Sequence, residues 1–380
     1  MDLSFSDEQR LLQDSAERLL RQTCSLARRR QVTASPPGFD RELWRRFADM
    51  GWLGLPFAEA CGGLGGGPVE VMILMEAFGR SLVVEPYLAT VMLAGGLIEA
   101  LGAPALAASE IRAIAAGDRL LALAHVEPGA RYALSHVAAT AARSGKGFVL
   151  NGQKTLALNG DSADRLIVSA RTAGAVGERA GISLFLIDAD TPGLARRGYA
   201  TVDAMRAADI VLDKVKVGAD ALLGKAGEGF AAIEAAVERA LAALCAEAVG
   251  IMDALTRATI DYLKTRRQFG TPLSTFQALQ HRAVDMYIAT EQARSLALKA
   301  ALALSGPASA RAEAVAAAQV HIGRAGRHVG QEAVQLHGGM GMTDELIVGQ
   351  YFKRLTAIEI LFGNADHHLS TLADGIKAPP

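Results

Sequence analysis

The sequence predicts an α+β protein in three blocks: an N-terminal helical domain (residues 1–116), a middle domain built as a small β-barrel or sandwich (residues 117–225), and a C-terminal helical domain of four-helix-bundle type (residues 226–380). Three observations predict it. Apolar residues recur at helical spacing in the opening block. The middle block breaks into short β-branched segments punctuated by Gly, Asn and Asp. Long alanine-rich patterns with few breakers then run nearly to the end. With 380 residues, the chain also exceeds the roughly 250–300 at which a single core stops growing.

Taken in order, Ser6 is placed to cap FSDEQRLLQDSAERLLRQ, with Gln9 completing a capping box. Leu11, Leu12, Ala16, Leu19 and Leu20 follow on one helical face. CGGLGGGP (residues 61–68) reads as a loop before the apolar helix VEVMILMEAFGRSL; no Lys-Ser/Thr follows it, so it is a connector and not a phosphate loop. From Gly117 the segments LLALAHV, HVAATAARS, GFVLNGQKTLAL, RLIVSARTAG, GISLFLIDA and DIVLDKVKV read as strands at the density of a small barrel or sandwich. Three long helical patterns complete the chain, beginning at GFAAIEAAV, FQALQHRAV and ARAEAVAAA.

Composition narrows the function. The net charge is −1, which gives no electrostatic case for nucleic acid. No apolar run reaches the roughly 18 residues of a membrane span. The start, MDLSFSDEQRLLQD, is acidic and lacks an apolar h-region, so no signal peptide is expected and a cytoplasmic location is. Cys24, Cys61 and Cys245 are odd in number and widely spaced, as free thiols in a reducing compartment are.

Two stretches carry ligand chemistry. In TRRQFGTPLSTFQALQHRAVDM, Arg266 and Arg267 can each fork onto a phosphate, and Gln268 meets a Phe269-Gly270 break. In QLHGGMGMTDE, Gly338 and Gly339 let the backbone approach a ligand, and Gln335 offers directional hydrogen bonds. A third stretch, AIEILFGNADHHLS, gathers Glu359, Asp366, His367 and His368. Adjacent histidines on a helix point about 100° apart, so a metal site there is not expected.

Taken together, RxxFG…FQ…H…DM and QxHGGxG resemble the acyl-CoA dehydrogenase flavoproteins. The resemblance runs the length of the chain: GWLGLPFAEACGGLGGG, VEPGA and LNGQKTLALNG all resemble family landmarks. GGGPVEVM, ARTAG, LCAEAVG, YFKRL and LFGNADHHL are more specifically similar to the small subunit of pimeloyl-CoA dehydrogenase, a two-subunit member. The resemblance implies an acyl-CoA dehydrogenase-like fold, FAD, an acyl-CoA substrate and an electron-transfer flavoprotein as acceptor. It also implies cofactor-binding roles for Arg266, Gln268, Phe269, Gln277, Gln335, Gly338 and Gly339.

The departures matter as much. The family's usual catalytic glutamate, in a Tyr-Glu-Gly-Thr stretch, falls on Phe362 of Leu361-Phe362-Gly363-Asn364. The alternative position, on the long helix, falls on Ala240, with Leu241 where an arginine is usual. Glu247 is the weak substitute candidate, since it lies on the same helical face as Ala240 but about 10 Å along the helix. In the middle domain, Leu156-Ala157-Leu158 replaces the family's flavin-contacting Trp-Ile-Thr, and Arg131-Tyr132-Ala133 replaces Gly-Ser-Asp. One half of a shared FAD site is retained and the other degraded. The expectation is a small, base-less subunit that holds the ADP arm of an FAD whose ring sits in a larger homologous partner. Two alternatives stay open: a self-sufficient homotetramer using Glu247, and a flavin-free scaffold. Dicarboxylyl, ring-bearing and plain fatty acyl-CoAs all remain possible substrates.

Overall fold

The computed structural model describes residues 4–377. The chain folds into two compact units, each taken by itself here. The first is helical and draws on Met1–Arg30, Pro68–Val83 and Leu241–Pro380. It contains α1 (Asp7–Thr23), α4 (Pro68–Ser81), most of α7 (Phe230–Thr265), α8 (Gln277–Ala303), α9 (Ala308–His337), α10 (Val348–Ile360) and α11 (Ala365–Lys377). Ser6 and Gln9 form the expected reciprocal capping box on α1.

Small residues set how these helices pack. A Cβ added at Gly79 of α4 would lie 2.0 Å from the Glu247 carbonyl oxygen, and one at Gly250 of α7 would lie 2.0 Å from that of Glu76. The α4 and α7 backbones therefore touch at reciprocal glycines. Ion pairs hold the neighbouring faces together: Arg80 reaches Glu17 at 3.0 Å on α1 and Asp253 at 2.9 Å on α7. Arg80 also pairs with Glu76, which accepts from Arg294 of α8 as well.

The second unit comprises Gln31–Gly67 and Val84–Ala240. It contains α3 (Arg41–Asp49), α5 (Gly96–Leu101), α6 (Pro104–Ala115) and a π-helix at Leu88–Gly95; α2 (Leu26–Thr33) spans the boundary at Arg30. Its strands are β1 (Leu121–Ala124), β2 (Thr140–Ser144), β3 (Gly147–Leu158), β4 (Arg165–Arg171), β5 (Ile182–Asp188), β6 (Leu194–Ala200), β7 (Arg206–Val217) and β8 (Leu222–Leu223). They form one sheet in the order β6-β7-β3-β2-β4-β5-β8, with β1 parallel to β4. Phe148 of β3 and Phe185 of β5 meet edge-to-face at 5.1 Å although two strands separate them in the sheet. The sheet therefore curls around its own apolar core. Among the described residues β6 and β8 end the path of paired strands, and β1 pairs with β4 alone. Strand β6 escapes sequence reading because LARRGYA is mostly exposed and has no apolar alternation.

Glu85 supplies a pH dependence. It is 5% exposed, accepts from the Asp40 and Val84 amides, and is pushed up to about 7 by burial. The folded state thus binds this proton more tightly than the unfolded chain. Its stabilisation is full below about pH 4.5 and is lost as pH rises through about 7. Glu85→Gln should remove that slope, worth on the order of 3 kcal/mol between the two limits. Denaturant midpoints of both proteins at pH 5 and pH 8 check this; parallel changes in the two would refute it.

Candidate cofactor and active-site residues

The two stretches expected to bind ligand lie far apart in sequence and come together at one end of the helical unit. Tyr262, in the last turn of α7, stacks on His337, the last residue of α9, with ring centroids 4.4 Å apart. The His337 Nδ1–H donates to the Ala333 carbonyl at 2.8 Å, which fixes the ring. Arg282 of α8 pairs with Glu332 of α9 at 2.5 Å and ties the third helix in.

After α7 the chain makes a short hairpin, β9 (Arg267–Gln268) and β10 (Thr271–Pro272). Its turn residues Phe269 and Gly270 have φ of 54° and 80°, the signature of a type I′ turn. Left-handed backbone is costly for a bulky side chain, yet Phe269 stands there 90% exposed, edge-on to Phe276 at 6.2 Å. Arg267 bonds the Gly270 carbonyl at 3.2 Å and supports the hairpin. Arg266 is exposed and makes no ion pair among the described residues. At the end of α9, Gly338 has φ 59° and ψ −140°, a conformation suited to glycine alone. A Cβ added at Gly339 would meet nothing within 4 Å, so its backbone is open to a ligand. Gln268, Gln277 and Gln335 are exposed as well. All seven expected cofactor residues face solvent, and the Tyr262–His337 stack joins the stretches carrying six of them; Gln277 begins α8, just past the hairpin.

The region expected to hold the base is built differently. Phe362 sits half-buried at φ 58°, in the turn between α10 and α11. Gly363 follows at φ 132°; a Cβ there would lie 2.6 Å from both His367 and His368. Asn364 caps α11 by accepting from the His367 amide at 3.0 Å. His368 is pushed down to about 4 by burial and is neutral, and its ring meets that of His367 edge-to-face at 5.2 Å. Among the described residues no group of three or more His, Cys, Asp or Glu is arranged to hold a metal ion. Ala240 is fully buried in α7, with Leu241 beside it at 3% exposure.

Glu247 and Glu359 are both paired. Glu247 is gripped through both oxygens by Arg354, Nε to Oε1 at 2.6 Å and Nη2 to Oε2 at 2.7 Å, and both side chains are buried. Glu359 is likewise held through both oxygens by Arg327, with Nε to Oε2 at 3.2 Å. The Glu247–Arg354 pair is buried on both sides, whereas Arg327 reaches Glu359 from a side chain that is 61% exposed. Sequence reading missed Arg354 and Arg327. Arg354 lies within the YFKRL stretch, but nothing local announces a partner 107 residues away.

The arrangement offers an exposed arginine, an open glycine backbone and a displayed aromatic ring, which suit a phosphate-bearing ligand with a planar group. The turn at residues 361–364 itself carries no titratable side chain. Family patterns agree with this fold. Residues 6–118 match "Acyl-CoA dehydrogenase, N-terminal domain", residues 122–215 the middle domain and residues 227–377 the C-terminal domain. The chain belongs to the acyl-CoA dehydrogenase family, whose members are FAD-dependent oxidoreductases with this three-domain fold. It is 31% identical over 343 residues to the short-chain specific acyl-CoA dehydrogenase of Megasphaera elsdenii, covering 87% of this chain and 88% of that one. Among solved structures it is similar to the ChsE4-ChsE5 complex from Mycobacterium tuberculosis, with TM-score 0.90, 28% identity and full coverage of both chains. It is also similar to a variant of the Tcur3481-Tcur3483 steroid ACAD, with TM-score 0.87, 31% identity, and coverage of 97% and 98%.

Proposed function

We propose that this chain is the small, base-less subunit of a heteromeric acyl-CoA dehydrogenase. It supplies the ADP-arm half of an FAD site, while a larger homologous subunit supplies the flavin-ring pocket and the base. The substrate is an acyl-CoA thioester desaturated between Cα and Cβ, and the electron acceptor is an electron-transfer flavoprotein.

The observation that carries the reading is the contrast within one helical unit. The stretches expected to bind phosphate are open and joined, while the base position is Phe362 and the carboxylates Glu247 and Glu359 are held in arginine pairs. The residues present fit one part of FAD. Arg266 is placed to fork phosphate oxygens, the Gly338-Gly339 backbone to approach them closely, and Phe269 to cover a ring face. They do not fit the flavin ring, because Leu156 and Leu158 carry no side-chain donor and Phe362 takes no proton. When bound, FAD accepts the hydride lost from Cβ. Proton removal from Cα needs a carboxylate aimed at it; Phe362 supplies none, and Glu247 is held by Arg354. The similarity to the ChsE4-ChsE5 complex is consistent with a two-chain assembly.

The test is co-expression with a larger homologue that carries the glutamate. Flavin per chain and turnover should both rise well above those of either chain alone, with about one FAD for each pair of chains. A homo-oligomer of this chain with one FAD per chain and normal turnover would sink the proposal.

A further inference from the structure

Helix α8 is apolar on more than its inner face. Ala283, Met286, Ala293 and Ala297 are buried in the helical unit. Val284, Tyr287 and Ile288 are neighbours on another side of the helix, and they are 54%, 56% and 47% exposed. Single apolar residues on a surface are ordinary, but contiguous ones mark interaction sites. A helix that is apolar all round is normally buried all round.

This patch borders a groove of about 620 Å³ walled by α1, α4, α7 and α8. Tyr287 belongs to both, and Met72, Ile260 and Leu298 line the groove with it. The buried charges that line it are spent on one another. Arg80 reaches Asp253 at 2.9 Å, and Glu76 accepts from Arg80 and Arg294. Two further lining charges are not spent. The Arg257 side chain of α7 is 73% exposed and uses only its Nε, on Asp253 at 3.0 Å, among the described residues. The Glu291 side chain of α8 is 43% exposed and meets only Arg294 Nε, at a long 3.4 Å.

We infer that this face docks a second copy of the same chain about a two-fold axis, with Tyr287 and Ile288 at the centre and Arg257 of each copy against Glu291 of the other. The charges select that occupant. A two-fold contact sets one patch against itself, so a patch with one unspent cation and one loosely held anion beside an apolar centre complements itself. A small ligand would find the buried charges of the groove already paired. An aromatic side chain at the centre with charges at the rim is also the usual anatomy of a specific contact. The inference goes beyond the cofactor reading and does not depend on it, since self-association without flavin leaves that reading intact.

Sedimentation velocity of the full chain alone, over a range of concentrations, tests it. The unaltered chain should form dimers. Ile288→Lys and Tyr287→Lys should each weaken the dimer about 30-fold or more, the scale of a lost interface anchor. Both side chains are half exposed, so circular dichroism should show the helices of these variants intact. Arg257→Glu and Glu291→Arg should each weaken the dimer, and the two together on one chain should restore it. Only a contact between two copies gives that restoration, because each copy then supplies both reversed charges. A monomer at every concentration, or a dimer that Ile288→Lys and Tyr287→Lys leave within twofold, overturns the inference. So does a double reversal that stays as weak as the single ones. A monomeric chain whose assembly with a larger homologue is broken by Ile288→Lys overturns it as well, and gives the face to that subunit.

Discussion

Arg354→Ala is expected to destabilise the helical unit by about 3–5 kcal/mol, the cost of leaving a buried charge without its partner. Both side chains of the pair are nearly inaccessible, 5% for Arg354 and 6% for Glu247, and both Glu247 oxygens depend on the guanidinium. Truncating the arginine strands a carboxylate beside the close α4–α7 contact at Gly79, where water has little room to replace it. Removing both charges is a different experiment. Apolar residues of similar volume often replace a buried pair at no net cost. The double change Glu247→Leu with Arg354→Met should therefore recover most of the lost stability, read as a denaturant midpoint. It also tests catalysis. If Glu247 only positions helices, the double variant keeps the turnover of the assembled enzyme. A folded double variant that loses the roughly 10²–10⁴ typical of a missing general base would make Glu247 the base. That outcome would revive the self-sufficient homotetramer.

Arg266→Ala should weaken FAD binding in the co-expressed complex about 10- to 100-fold, with the thermal midpoint of the flavin-free protein unchanged. The reason is local. Arg266 is exposed and engages no ion pair among the described residues, so the fold does not depend on its charge. Arg267→Ala is the companion variant: Arg267 bonds the Gly270 carbonyl, so its loss also loosens the hairpin. The readout is flavin absorbance per complex after gel filtration at low FAD. Equal flavin retention by Arg266→Ala and the unaltered complex would remove the ADP arm from this chain. Phe362→Glu is informative alongside it. A carboxylate at that turn should not raise flavin content, because Leu156 and Leu158 still offer a ring no side-chain donors.

The sequence by itself determined a good deal. The Ser6–Gln9 capping box, the long C-terminal helices and the succession of helices, strands and helices follow from local pattern, because capping and periodicity are decided within a few residues. That Phe362 stands where the family resemblance expects a glutamate was also legible, since the resemblance is carried by nearby sequence motifs. Strand β6 was not, because an exposed edge strand has no buried face to print an alternation. Tertiary structure alone decided the fate of the remaining acids. Glu247 and Glu359 read as spare carboxylates until helix packing set Arg354 and Arg327 against them. It likewise decided that the α7 and α9 ends lie side by side, through the Tyr262–His337 stack. Ion pairs and ring stacks between distant residues depend on where helices cross, and here small residues such as Gly79 and Gly250 set one crossing that no local pattern encodes.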